Sequence, residues 1–431
     1  MKRFLSRVLP LLLSFGLIFN CTGCSTVLVL AGKARENSEA SSSVISESSA
    51  SSGVISTPVP TEDGDLRAFY TDVANAESVT VMVYMIGSDL ESEDGSATDD
   101  LLEMANAALS ENVHLVLQTG GTETWWNDVC TDDESERFVI ENGDMTLLQS
   151  LGSMNMTDAD TLSDFIRFSA ESYPADRYEL ILWDHGGGTM TGFGYDELYE
   201  DTSLTLSSLS TALYNGGVQF DFIGFDACLM ATAEVAYALD PYADYLIASE
   251  ESEPGEGWAY KNWLTMLAED PAVPTAELGK KLADDFLEAY IFADMPTLSV
   301  LDLRYVPELY AALESYWGSA YTALQSGSYG AFSQVRNNVR EFGDNEYDQV
   351  DLSDLATLTK QSLSLGTEDD VQAAVQNMVV YNVTYEKSAA GIAVYFPCLW
   401  PDYYGDTRFE MTCVGFPESY FEFYDLSLIH I

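Results

Sequence analysis

Basic side chains are scarce in this sequence of 431 residues: 18 lysines and arginines stand against 70 aspartates and glutamates, a formal net charge of −52. Such a surface repels the phosphates of nucleic acids and the headgroups of anionic lipids, so no nucleic-acid partner is expected. The surplus of carboxylate can attract cationic substrates or hold calcium, and it also keeps a chain soluble. Histidine is rarer still, with three in the whole chain, His114, His185 and His430. Cysteine numbers six, and only Cys130, Cys228, Cys398 and Cys413 lie beyond residue 24. That is far too few to staple an exported fold of this length with disulfides. Stability must then come from a packed core, for which 47% hydrophobic residues with 12% aromatics are ample.

The N-terminal region also has no apolar run long enough for an ordinary membrane span. Lys2, Arg3 and Arg7 precede an apolar stretch at residues 8–19, the charge pattern and length of an export signal. Where the stretch ends, Cys21-Thr22-Gly23-Cys24-Ser25 resembles a bacterial lipobox, in which the cysteine after Gly is lipidated; the departure is Cys21 where Leu is usual. Residues 1–24 are therefore read as a lipoprotein-type signal with Cys24 as the lipidation site. The chain is expected outside the cytoplasm, held to the bacterial cell membrane by its lipid alone or else secreted. Residues 25–64 are rich in serine, with Pro58 and Pro60, the composition of an unstructured tether whose typical reach is on the order of 35 Å.

From residue 65 onward the pattern alternates. The β-branched apolar run at 79–87, ended by Gly87, predicts a buried strand; 98–109 has helical spacing and 113–118 returns to strand character. A hairpin is expected over 137–151, with Asn142-Gly143-Asp144 at its turn, and a helix over 160–173. Strands at 178–183, 220–225 and 244–248 alternate with helices at 205–215 and 229–239. Continuous apolar strands separated by amphipathic helices predict an α/β fold, a mostly parallel sheet covered on both faces, with a core over 65–270. A C-terminal α/β part over 271–426 contains a helix at 275–290 and strand-like runs at 298–303 and 391–397. Residues 427–431 fit no element. No internal repeat is present.

Two strand ends carry reactive side chains: residues 182–188, with His185 followed by Gly186, Gly187 and Gly188, and residues 224–230, with Cys228. Ligands of open parallel sheets bind at the carboxyl edge, and one crossover helix between the two sites allows their strands to be neighbours about 4.8 Å apart. A thiol attacks a carbonyl as thiolate, and a nearby imidazole lowers its pKa, as does a helix N-terminus. Cys228 is expected to have both, standing in the first turn of the 229–239 helix. The glycines let backbone N–H groups approach a substrate, so Gly186 and Cys228 are the candidate oxyanion donors. Taken singly, each residue has a plainer role: Cys228 as inert core or half of a disulfide, His185 and His114 as structural residues, Asp226 as a helix N-cap. His430 lies in the uninformative tail.

Four blocks, at residues 83–91, 182–188, 225–230 and 248–258, resemble in content and order those of the clostripain family of cysteine peptidases. The resemblance implies a three-layer α/β/α caspase-like sandwich and a His and Cys dyad without an obligatory third member. It implies an endopeptidase that needs no cofactor for its chemistry, with protein or peptide substrates cut after Arg or Lys. By position His185 matches the general acid/base, Cys228 the nucleophile and Asp226 an acid of the specificity pocket. Residues two apart on a strand share a face, so a carboxylate at 226 can pair with a cationic side chain beside Cys228. Glu250, Glu251, Glu253 and Glu256 are candidates for a second acid, with Glu256 preferred for its glycine-flanked loop. The family also includes calcium-dependent members. Members are often self-cleaved after Lys or Arg between the catalytic His and Cys, yet neither residue occurs between Arg177 and Lys261. The alternative from another class is a catalytically silent binding or adhesion lipoprotein of the same fold.

Overall fold

The computed structural model describes residues 66–199, 202–290, 296–385 and 388–427. The export signal, Cys24 and the tether lie outside the described residues, as does His430.

Among the described residues, nine strands form the central sheet, in the order β11-β8-β7-β6-β5-β1-β2-β3-β4. Its middle is parallel: β2 (Val113–Gly120), β1 (Val79–Ile86), β5 (Arg177–Trp183), β6 (Phe220–Asp226) and β7 (Ala243–Ala248). Antiparallel pairs close both edges, with β3 (Ser135–Glu141) and β4 (Asp144–Gly152) beyond β2, and β8 (Thr297–Asp302) and β11 (Val379–Thr384) beyond β7. A separate three-stranded sheet joins β12 (Ala393–Tyr395), β10 (Gln349–Asp351) and β9 (Glu341–Phe342). The strand-like run expected at 391–397 thus belongs to this small sheet. The central sheet instead continues past residue 270 into β8 and β11.

Every residue of β1 is buried, which explains its unbroken apolar run. Successive side chains point to opposite faces. Val79, Val81, Val83 and Met85 pack with Leu101, Met104, Trp263, Leu278 and Phe286 from the helices Ser96–Ala105, Tyr260–Glu269 and Thr275–Ala289. Met82, Tyr84 and Ile86 pack on the other face, with Leu162, Phe165, Leu209 and Leu213 from the helices Ala159–Ser172 and Leu206–Gly216. Helices on both faces make the three layers that the alternation predicts. Burial of each such side chain is worth roughly 1.5–3 kcal/mol, so the two apolar layers outweigh anything the surface contributes.

The hairpin turn uses left-handed backbone at Asn142 (φ 53°) and Gly143 (φ 81°), the conformation a two-residue turn between twisted strands needs. One helix departs from expectation. The segment placed at 229–239 becomes helical only at Ala233, capped by the Thr232 hydroxyl, which accepts from the Val235 N–H at 3.1 Å. Residues 229–232 are drawn off by other partners. Leu229 takes a left-handed φ of 68° and donates to the Glu251 carbonyl, Ala231 donates to Ser249, and Ala393 of β12 donates to Ala231. Backbone hydrogen bonds to neighbouring chain segments win over a first helical turn whose N–H groups would lack acceptors.

Candidate active site at the carboxyl edge of the sheet

Strands β5 and β6 are neighbours, with Trp183 opposite Asp226 and a further bond from the Asp184 N–H to the Asp226 carbonyl at 3.3 Å. Beyond these ends the chain reaches His185 and Cys228. Gly186 lies flat against the backbone of Cys228, and a side chain there would run into the Cys228 carbonyl. Gly188 adopts φ 55° and backs onto the Gln349 amide. The glycine run is therefore a close-approach device between the two loops.

Both reactive side chains are buried, each about 7% exposed. The His185 Nε2 is 2.6 Å from Asp89 Oδ1. Burial alone would lower the imidazole pKa, but the Asp89 hydrogen bond and the charges of Asp184, Asp89 and Cys228 outweigh it and raise it to about 9. For Asp89, burial favours the neutral acid, and the bond and charge of His185 overcome this to hold the carboxyl below its ordinary value. Asp184, pushed up to about 7 by burial, accepts from the Tyr195 N–H.

The Cys228 sulfur accepts the Glu253 N–H at 3.2 Å, and its S–H points to the Glu253 carbonyl at 3.8 Å. The thiol stands four residues before the Thr232 cap, so the expectation that a helix N-terminus activates it is corrected. The cause is the non-helical course of residues 229–232 described above. Cys130, Cys228, Cys398 and Cys413 are all thiols, which sets aside the disulfide reading of Cys228.

Asp226 belongs to a buried acidic cluster. Its Oδ2 accepts from the Tyr260 hydroxyl at 2.7 Å and from the Trp258 N–H at 3.1 Å. Asp226 therefore caps no helix. Asp100, from the helix Ser96–Ala105, accepts the Trp183 indole N–H at 2.6 Å, and Glu253 accepts that of Trp258 at 3.1 Å. Burial raises the pKa of Asp226 to about 7, against hydrogen bonds that lower it. Burial, then the charge of Asp226, carries Asp100 and Glu253 well above their ordinary values. Three carboxyls close together and out of water disfavour their own ionisation.

Of the four glutamates considered as a second acid, Glu253 is the one beside Asp226. Glu256 is exposed on its loop, where its charge adds to burial in raising the pKa of Asp99. Glu250 is buried and accepts from Gly391, and Glu251 pairs with Arg340 at 2.9 Å. Asp89 and Asp100 had no assigned role. Asp89 has a legible signal, a polar residue a few positions past the carboxyl end of a buried strand, as His185 is. Asp100 lay within a helical pattern and gave none. His114, on β2, packs against the Tyr173 ring, a structural role. Among the described residues no group of three or more His, Cys, Asp or Glu is placed to hold a metal ion. No described helix is long and apolar enough to cross a membrane.

Residues 83–399, which include every member of this site, match the model of the clostripain family. The chain belongs to that family. It is 29% identical over 218 residues to clostripain of Hathewaya histolytica, a stretch covering 43% of this chain and 41% of that relative. The chain thus spans less than half the length of the curated relative it matches. Among solved structures, an inactive protease zymogen from Parabacteroides distasonis superposes with a TM-score of 0.60 at 22% identity, covering 78% of this chain and 97% of the other. A secreted cysteine protease from Bacteroides thetaiotaomicron, solved with an irreversible peptide inhibitor, gives 0.59 at 18% identity, covering 78% and 99%. The clostripain-family chain shares their fold, a caspase-like α/β/α sandwich.

Proposed function

We propose that this chain is an exported cysteine endopeptidase that cuts after Arg or Lys through a dyad of His185 and Cys228. The observation that carries the reading is the seating of an imidazole and a thiol at the ends of adjacent strands, with Gly186 packed on the Cys228 backbone. In acylation the Cys228 sulfur, as thiolate, attacks the scissile carbonyl carbon. The C–N bond breaks, and the amine leaves with the proton of the His185 imidazolium, giving a thioester. Water then attacks the thioester while His185 takes its proton, and the C–S bond breaks to release the acid product and restore the thiolate and imidazolium. Backbone N–H groups of Gly186 and Cys228 hold the oxyanion of each tetrahedral intermediate.

The basic preference rests on Asp226, with Asp100 and Glu253 as further buried acids and the expected Glu256 on the exposed loop near them. A guanidinium or ammonium entering the cluster would draw its carboxyls into the charged form. Lipidation at Cys24 would hold the enzyme on the outer face of the cell membrane, and the chemistry calls for no cofactor, with calcium left as a condition to be tested. Since no Lys or Arg lies between Arg177 and Lys261, an enzyme of basic specificity works uncut in that segment. The binding-lipoprotein alternative gains no observation here.

The test is hydrolysis of fluorogenic peptides with Arg, Lys, Ala or Asp before the scissile bond, with and without calcium, beside Cys228→Ala. Cleavage of Arg and Lys peptides that vanishes in Cys228→Ala is the expected result. No cleavage by the unmutated protein in either condition would sink the proposal.

A further inference from the structure

The His185 imidazole is held from the side by a residue that the dyad description leaves out. Asp89 lies in the short helix Ser88–Ser92, directly after β1, and β1 is the immediate neighbour of β5. Its Oδ1 is 2.6 Å from Nε2 of His185, at the short end for a hydrogen bond between charged groups. The turn that aims it is unusual. Ser88 adopts a left-handed φ of 48° although it carries a side chain. Its N–H is anchored to the Gly121 carbonyl at 3.1 Å, and the preceding Gly87 N–H to that of Gly120 at 2.8 Å. A side chain at Gly87 would collide with Thr122, so the turn is pinned from both sides. Left-handed backbone at a residue with a Cβ is strained and gathers where the surrounding structure over-determines geometry.

We infer that Asp89 is a third, positioning member of this site, a carboxylate that orients His185 through Nε2 and keeps it protonated so that Nδ1 serves the thiolate and the leaving amine. The inference rests on the peptidase reading above. The groups facing the imidazole are Asp89 from the β1 end, Asp184 beside it in sequence, Cys228 from the β6 end, and the Tyr195 ring at 6.4 Å. Two of these are carboxyls, and of the two Asp89 makes the direct bond. Asp184 adds its charge, but its hydrogen bond goes to the Tyr195 N–H, so it does not fix the ring as Asp89 does. An ion pair with Asp89 holds the imidazole plane, stabilises the thiolate beside it and loads the proton that the departing amine takes. Removing the charge but not the shape should lower the imidazole pKa, and activity that needs imidazolium should then be lost at lower pH.

The experiment uses the full chain, with Asp89→Asn, Asp89→Ala and Asp89→Glu beside the unmutated protein and Cys228→Ala. Two readouts are taken from pH 5 to 10: kcat/KM on an Arg peptide, and the rate of Cys228 alkylation by a peptidyl-arginine chloromethyl ketone. Thermal melting checks that each variant is folded. The expected result is an alkaline limb near the His185 value of about 9 in the unmutated protein. In Asp89→Asn that limb moves to lower pH by a unit or more in both readouts, with kcat/KM at pH 8 down roughly ten- to a hundredfold and most of the loss in kcat. Asp89→Glu should recover part of both. A folded Asp89→Asn with the original limb and a rate within about twofold would overturn the assignment, even were Asp89→Ala inactive, because that pattern describes a structural residue alone. If the unmutated protein neither cleaves nor is alkylated at Cys228, the peptidase reading itself fails, and this one with it. Alkylation that occurs but ignores every Asp89 change overturns only the role of Asp89.

Discussion

At the scale of single residues, the site is governed by how buried ionisable groups share protons. Asp226, raised to about 7 by burial, and His185, raised to about 9 by its carboxylate neighbours against burial, bracket a working range. For an Arg peptide, kcat/KM should rise through pH 7 as the acidic cluster ionises and fall through pH 9 as the imidazolium is lost, a bell whose limbs belong to coupled groups. An Ala peptide makes no demand on the cluster and should lack the acid limb; the two profiles measured side by side decide it. Asp226→Asn should reduce kcat/KM for Arg and Lys peptides roughly a hundredfold or more while changing Ala peptides little, since a buried cation would lose its charge-assisted partner. Equal losses on both peptides would instead mark Asp226 as structural. His185, Cys228 and Asp226 were legible in the sequence because each sits on or just past a buried strand end. Glu253 was legible only as one of four glutamates in a loop, where no periodicity says which carboxyl turns inward.

At the scale of elements, two loops must come within backbone contact for the thiol and imidazole to cooperate. Gly186→Ala would place a methyl against the Cys228 carbonyl, and the overpacking should cost about 1–3 kcal/mol. Alkylation of Cys228 should fall far more than stability, because the displaced group is the one that aligns the pair. Melting temperature and alkylation rate, measured together, separate the two effects. The seven-residue helix Ala233–Leu239 depends on its cap: Thr232 also accepts from the Thr189 hydroxyl at 3.1 Å. Thr232→Ala should destabilise by about 1 kcal/mol, read as a lowered melting temperature. The helical spacing of 229–239 was a fair local signal, and it failed because β12 and the segment after β7 offer residues 229–232 extended partners. Those partners come from residues 249, 251 and 393, beyond any local window.

At the scale of the whole molecule, many buried acids are held above their ordinary pKa: Glu179 at about 8, Asp184, Asp226 and Glu234 at about 7, Asp351 at about 6. Burial is the leading cause for each. An acid whose folded pKa is raised binds more protons when folded than when unfolded between the two values. Its contribution is present below the unfolded pKa and is lost as pH rises through the folded one. His185 acts in the same direction, contributing fully below its unfolded value and losing that contribution as pH approaches 9. The net negative charge adds self-repulsion that grows with pH and is screened by salt. The protein without ligand should therefore melt several degrees lower at pH 8.5 than at pH 5.5 at fixed ionic strength, with salt narrowing the gap. A melting temperature that climbs over that interval would contradict this assignment of protons.

What the sequence determined by itself was whatever depends on near neighbours along the chain: the buried strands, the helices between them, the parallel α/β character and the two reactive strand ends. Their apolar spacing is a direct image of burial on one face or two. Only the tertiary structure decided which distant side chains meet. Asp89 reaches His185 across 96 residues, and Asp100 lies 126 residues before Asp226. Strand order, together with the partner each backbone N–H finds, brings these groups together, and neither is written in the local pattern. The physical reason is that periodicity records the environment of a side chain, whereas convergence depends on sheet register and on long-range hydrogen bonds that only the folded chain supplies.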